Sequence, residues 1–358
     1  MNVERFDPAA AAGLVRTCFE LDAAARAVDD PGGPPMSMRV FSGWFILGWT
    51  GRQTQAWLAT DDQTGSAAAW YRLELSDRDN RDIASLSMRV GRDKRRAGLG
   101  GSLLRHAARR AHAEGRSLLT WMTRTQTPGS AFAAAVGARP GLVEVDRVLD
   151  VAAIPAGRLA ELRAQAGPAA AGYALISWQG PAPADQVDQV TAVNSAMADA
   201  PREPGTEPER WDAARIRAAE ARVALQGLRY YSVAARCDAT GELAALTQLG
   251  VDPSYPEWGF QELTAVTRSH RGHRLGLLSK VAMLELIAER EPQITRIITG
   301  NSESNQHMIA INEALGFRVL HRWMNWQLNV TDVLGRPDEA DVAAWPAGDR
   351  QATVLTAS

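Results

Sequence analysis

The sequence predicts an α/β chain made of two tandem copies of one domain. Three observations carry this. A strand-like alternation, a basic glycine-bearing turn and a helical apolar pattern follow one another in that order, and they do so twice. The turns that begin at Arg95 and Arg271 are offset by 271 − 95 = 176 positions, and Val90 and Val266 before them by the same 266 − 90 = 176. Gly137 and Gly316 are offset by 316 − 137 = 179, as are Leu149-Asp150-Val151 and Leu328-Asn329-Val330 (328 − 149 = 179). A near-constant offset of about half the chain marks duplication of a whole domain, not a solenoid of short repeats.

Composition narrows the class. The 358 residues are 46% hydrophobic and 22% charged, and the formal net charge is −2. Each half is long enough for its own core, and nothing draws the chain to nucleic acid or to acidic membranes. Cys18 and Cys237 fall in different halves and form no metal-like cluster, so free thiols in a reducing compartment are expected. With no basic-then-apolar leader and no apolar run of membrane-spanning length, the chain reads as soluble and cytoplasmic.

In chain order, 3–6 reads as a first strand, and Asp7-Pro8 opens a helix through Leu14 and Cys18. Strands follow at 55–60, 67–75 and 83–90, the first two joined across Asp61-Asp62-Gln63-Thr64-Gly65. A helix over 102–113 stops at Gly115; 118–123 is a strand; Thr127-Pro128-Gly129 opens a helix that closes at Gly137; and 143–151 is a last strand. The first domain is expected over 1–152, an alanine-rich connecting helix over 153–171, the second domain over 172–332, and a loose tail over 333–358. The second copy repeats the order: a strand at 173–178, helices at 184–197 and 211–225, and strands at 230–236, 242–250 and 258–266. Cys237 falls in a hairpin turn on this reading.

Within the second copy, the strand 260–266 precedes the turn Arg271-Gly272-His273-Arg274-Leu275-Gly276. Asn305 then opens a helix through Leu315, followed by Gly316-Phe317. This ordered set resembles the Gcn5-related N-acetyltransferase (GNAT) superfamily. Its pattern is Gln/Arg-x-x-Gly-x-Gly/Ala after a central strand, then an Asn-led helix ending at Gly-Phe. Arg95-Arg96-Ala97-Gly98-Leu99-Gly100 fits the turn in full. Two tandem domains of this kind resemble the arrangement of the mycothiol synthases.

The resemblance implies two mixed, mostly antiparallel sheets, each with a splayed parallel central pair and flanking helices. It also implies acetyl-CoA, or another acyl-CoA, as acyl donor. Its pyrophosphate would lie on the turn amides and the following helix N-terminus. The residues so implied are Val266, Arg271, Gly272, His273, Arg274, Leu275 and Gly276, and in the first copy Val90, Arg95, Arg96, Ala97, Gly98 and Gly100. Arg274 stands where the family has its first glycine. A left-handed backbone is costly for arginine, so either the local geometry differs or the glycine is dispensable there.

The thioester would lie between the strands 260–266 and 296–300, with a backbone N–H of the first polarising its carbonyl. Glu262 is the candidate base toward the attacking amine, directly or through water; alternation equally allows a solvent-facing glutamate. Many relatives carry a tyrosine acid four residues before the helix-ending glycine. Here Asn312 and Ala133 stand in that place. Asn312 can donate a hydrogen bond to sulfur but supplies no proton, and His307 is the substitute candidate beside a plain surface or core role. Asn305 would contact the pantetheine arm or cap its helix; the first copy, with Thr127-Pro128-Gly129, lacks the amide.

These residues make the second copy the working one and the first a degenerate one. Asp199, Glu203, Trp211 and Tyr230 are the candidate acceptor-binding residues, because carboxylates in the 199–209 loop would attract a cationic amine. The expected activity is transfer of a short acyl group from CoA to a primary amine of a small cationic or antibiotic-like molecule, by direct attack in a ternary complex. A protein N-terminus or lysine is the second acceptor class, and a non-catalytic acyl-CoA sensor the rival reading.

Overall fold

The computed structural model describes residues 2–48 and 53–336. The first half opens with β1 (Asn2–Phe6), α1 (Ala12–Asp29) and α2 (Met38–Leu47), then β2 (Gln53–Thr60), β3 (Ala67–Leu75) and β4 (Ile83–Val90). It continues through α3 (Leu99–Ala113), β5 (Leu118–Arg124), α4 (Pro128–Ala135) and β6 (Arg139–Asp150). After α5 (Arg158–Ala166) the second half repeats the plan with β7 (Tyr173–Gln179), α6 (Val187–Ser195), α7 (Ala213–Gln226), β8 (Arg229–Cys237), β9 (Leu243–Val251) and β10 (Trp258–Val266). It ends with α8 (Leu275–Arg290), β11 (Arg296–Ser302), α9 (Gln306–Ala314), β12 (Arg318–Asn329) and α10 (Val330–Leu334).

Among the described residues twelve strands form one mixed sheet in the order β1-β2-β3-β4-β5-β12-β6-β11-β10-β9-β8-β7. Two pairs are parallel, β4 with β5 and β10 with β11; the others run antiparallel. The halves exchange their last strands. β6 of the first half lies against β11 of the second, and β12 of the second lies against β5 of the first. The two exchanged strands then pair with each other at the centre of the sheet.

The core follows from the pattern. β3 is buried along almost its whole length, and Trp70, Tyr71 and Leu73 are among the largest fully buried side chains. Each such side chain contributes about 1.5–3 kcal/mol by leaving water. α2, which the sequence reading passed over, adds Phe41 and Phe45 to the cluster around Trp70; Ser37 caps it by accepting from the Val40 N–H. In the second half the buried alanines Ala234, Ala235, Ala244 and Ala245 of β8 and β9 leave room for helices on both faces.

Several expected boundaries move. α1 starts at Ala12, because Asp7 accepts from Ala9–Ala11 in a separate turn first. The linker is not one helix: a 3-10 turn at Val151–Ala153 and another at Gly167–Ala170 flank α5, as Pro155 and Pro168 require. Cys237 is the last residue of β8 rather than part of the hairpin turn. Of the expected tail, only residues up to Arg336 lie within the described region.

Candidate active site

The site forms where a parallel pair comes apart. β10 and β11 pair from Trp258↔Arg296 to Gln261↔Thr299 and then part, as β11 runs on against β6. On its other side β10 carries a bulge: Gln261 faces Leu249, but Thr264 already faces Thr247. Glu262 and Leu263 therefore stand opposite the single residue Gln248. A bulge bends its strand and releases backbone groups from the ladder, here beside the opening. Thr247 Oγ1 donates to the Leu263 carbonyl (3.1 Å), and the Gln261 amide donates to Thr247 Oγ1 (2.8 Å) and to the Gln248 carbonyl (2.7 Å), which pins the bulge.

Glu262 faces a cavity of about 1090 Å³ between the sheet, α6, α7 and the 199–209 loop. Tyr230 donates its hydroxyl to Glu262 Oε2 at 2.9 Å. Burial first, and then the Glu262 charge, hold that phenol well above its usual range, so it stays a donor. Glu203, Trp211 and Tyr230 line the cavity, along with Glu74, Glu144, Asp146, Glu207, Glu209 and Glu220. Burial raises the Glu203 carboxyl, and it raises Glu144, with help from Asp146 and Glu203, to about 7. Asp199 lies elsewhere: it forms an exposed ion pair (2.7 Å) with Arg271 of the glycine turn.

The turn before α8 has the geometry of an anion cradle. Arg274 adopts φ 53°, ψ 20°, the left-handed conformation that Gly98 takes in the first half at φ 79°, ψ −13°. The backbone shape is thus kept at a cost of about 1 kcal/mol to the arginine, and the glycine is dispensable there. Gly272, at φ 88°, has open space around its α-carbon. No hydrogen bond within the described residues takes the backbone N–H of Gly272, His273 or Arg274. Together with the first-turn amides of α8 they offer a row of donors that fits a pyrophosphate. His273 Nδ1 lies 2.9 Å from the Ala169 carbonyl, and Arg274 donates to the Gln165 carbonyl, so both side chains also tie the turn to the linker.

Asn305 caps α9, accepting from the Met308 N–H at 3.2 Å. His307 is exposed in the first turn of that helix. Asn312 is fully buried; its Oδ1 accepts from Lys280 Nζ (2.7 Å) and its amide donates to Asn301 Oδ1 (3.2 Å), which also takes Arg147. None of these three residues lines the acidic cavity. Burial brings the Lys280 ammonium down to about 7. Sequence reasoning passed over Lys280, since a helical lysine ordinarily faces water, and also Glu144, which no motif flags.

The first half keeps the opening and the left-handed turn, with no hydrogen bond among the described residues on the N–H of Arg96, Ala97 or Gly98, but differs in its ladder and its ion pairs. β4 pairs with β3 without a break from Val90 to Ala84, so it has no bulge, although β4 and β5 also part after Ser85↔Thr120. Its cations are already held: Arg89 by Asp22 (2.7 Å), Arg95 by both oxygens of Asp29 (2.7 and 3.0 Å), Lys94 by Asp61 (2.8 Å) and Arg124 by Asp30. Arg96 holds a positive φ of 64° and is exposed, as are Ala97 and Gly98; Gly100 packs against Phe132.

No known protein-family profile and no curated protein matches the sequence. Solved structures do match. A tandem GNAT protein from the clavulanic acid biosynthesis pathway, solved without acetyl-CoA, shares 26% identity at a TM-score of 0.75, covering 92% of this chain and 99% of that one. A GCN5-related N-acetyltransferase from Sphaerobacter thermophilus shares 17% identity at a TM-score of 0.62 over 92% and 95% of the two chains. A GNAT-family acetyltransferase from Colwellia psychrerythraea shares 10% at 0.53, over 92% and 100%. The latter two speak for the fold alone. Over nearly its whole length this chain resembles tandem acetyltransferases of the GNAT superfamily; it has their fold and is an enzyme of their class, an N-acyltransferase.

Proposed function

We propose that the chain transfers an acetyl or other short acyl group from acyl-CoA to the primary amine of a small cationic molecule, at the splay between β10 and β11. The bulge that turns Glu262 into an acidic cavity carries this reading. The pyrophosphate would lie on the amides of Gly272, His273 and Arg274, and Arg271 would exchange Asp199 for phosphate. In the cavity Glu262 accepts the proton of the attacking ammonium, directly or through one water. The amine nitrogen then bonds to the thioester carbon and the carbon–sulfur bond breaks. A thiol of pKa near 8.5 leaves as thiolate without a dedicated acid, which suits a site whose Asn312 is committed to Lys280. The N–H groups released at the bulge are the donors toward the transient oxyanion.

The cavity is closed in by α6, α7 and the 199–209 loop, which favours a small acceptor over a protein chain. On this reading the second half works, and the first supports it with cations already neutralised. Replacing Glu262 by Gln tests the assignment. Release of free CoA with a turned-over amine should fall by about 10²–10⁴ while acetyl-CoA binding stays unchanged. Unchanged turnover would remove Glu262 from the chemistry.

A further inference from the structure

The strand exchange brings two carboxylates of the first half into the second half's site. On β6, Asp146 stands opposite Gly300 of β11 and Glu144 opposite Ser302. Two residues apart on one strand, they share a face, and both line the cavity that holds Glu262. Asp146 accepts from the Trp323 indole at 2.7 Å. Glu144 has neither a hydrogen bond nor an ion pair among the described residues. Glu203, on the loop, uses one oxygen on the Leu142 N–H (2.6 Å), while Oε2 packs against Gly141 without a hydrogen-bond partner. Arg202, also on the cavity wall, turns to the Ala198 carbonyl.

Carboxylates placed this way cost free energy until a cation joins them, because burial and mutual repulsion both disfavour their charge. An uncharged filling would be more stable and would serve a merely structural wall better. The pseudo-equivalent positions on β12, 179 residues on (144 + 179 = 323 and 146 + 179 = 325), are Trp323 and Asn325, which carry no charge. The β4–β5 opening, whose Ser85 and Thr120 line the same cavity, therefore receives no carboxylate from its neighbouring strand at these two positions.

We propose that the acceptor carries two cationic centres: the reacting amine at Glu262, and a second ammonium or guanidinium held between Glu144 and Glu203. This rests on the acyl-transfer reading above. The spacing follows from the sheet. Where β10 and β11 are still paired, β10 and β6 lie two strand spacings apart, about 10 Å, widening past Gln261, and Glu144 lies about two residues, or 7 Å, further along. Once both side chains reach inward, this suits charges on the order of 6–11 Å apart, the span of α,ω-diamines with four to eight carbons.

The experiment uses the full chain, acetyl-CoA and release of free thiol. Each α,ω-diamine of four to eight carbons is compared with the n-alkylamine of equal length. At least one diamine should exceed its monoamine tenfold or more in kcat/KM. Glu144→Gln should lower that diamine's kcat/KM at least tenfold, through KM, and bring the ratio close to one. Glu203→Gln is the second variant and should move the ratio the same way. Acetyl-CoA binding by each variant shows that it is folded. Monoamines as good as diamines in the parent chain would overturn the proposal and leave the transferase reading standing. So would an equal loss for both amine classes in Glu144→Gln. Acetylation of neither class by a chain that binds acetyl-CoA would overturn transfer to small amines, and the dication with it.

Discussion

The β4–β5 pair and the β10–β11 pair begin alike and end differently. Each holds a short parallel register and then opens, three residue pairs in the first half and four in the second. In the first half the strand beside the opening runs regularly against β3, and the guanidiniums around it are taken by carboxylates of α1. In the second half the same strand bulges and the wall is acidic. On the proposed function, the scaffold is thus duplicated without its chemistry. One extra residue in a ladder and the choice of which acids face which bases are enough to separate an open site from a filled one.

The comparison breaks or sharpens most decisively at the helix starts. A side chain on Gly276 would run into Ile311, whose Cδ1 lies 3.3 Å from where its first carbon would sit. Gly276→Leu should abolish acetyl-CoA binding and lower turnover more than a hundredfold. Gly100→Leu, pressed against Phe132, should lower it less than threefold. Isothermal titration and steady-state rates on both variants decide, and the reverse ranking would move the active site to the first half.

A smaller effect is expected from emptying the first half's ion pairs. Replacing Asp29 and Asp30 together by Asn frees Arg95 and Arg124. Native mass spectrometry should then count two acetyl-CoA molecules per chain instead of one, at a loss of about 1 kcal/mol in stability.

Smaller still is the cost of the acidic wall. Glu144 ionises in the fold near pH 7, against 4.5 for a free glutamate. Between those values the folded chain holds a proton that the unfolded chain has lost, so stability falls as pH rises through this window. Glu144→Gln should therefore raise Tm by about 2–4 °C at pH 8, roughly 1 kcal/mol after discounting for partial exposure, and leave it unchanged near pH 4. A calorimetric Tm that moves equally at both values would mean the effect is not electrostatic. Smallest of all, Asp199→Ala should change stability by less than about 0.5 kcal/mol, since its pair with Arg271 is exposed. It should also tighten acetyl-CoA binding two- to threefold.

The duplication and the turns were legible because each rests on local rules: period-2 strands, a glycine where φ is positive, a cap before a helix. Arg274 shows where a one-residue rule gives way. The surrounding strand and helix hold the left-handed turn whether or not a glycine occupies it. Asn312 could be located by counting back from Gly316, but not its partner, because nothing in the α8 sequence says that Lys280 points inward. Glu144 was invisible as a site residue for a longer-range reason. Its place beside β11 depends on a pairing between positions 144 and 302, 302 − 144 = 158 residues apart, which no local pattern encodes.

That pairing gives the molecule the character of a dimer written into one chain. Two identical subunits that traded their last strands would be related by a two-fold axis between those strands, and here β6 and β12 lie on either side of just such a line. The peptide around α5 turns the encounter of two subunits into an event within one molecule, at an effective concentration set by a short tether and independent of how much protein is present. Once joined, the two copies no longer had to stay alike. One side of the former symmetry could keep its ion pairs closed, while the other gained an acidic wall that its neighbour supplies.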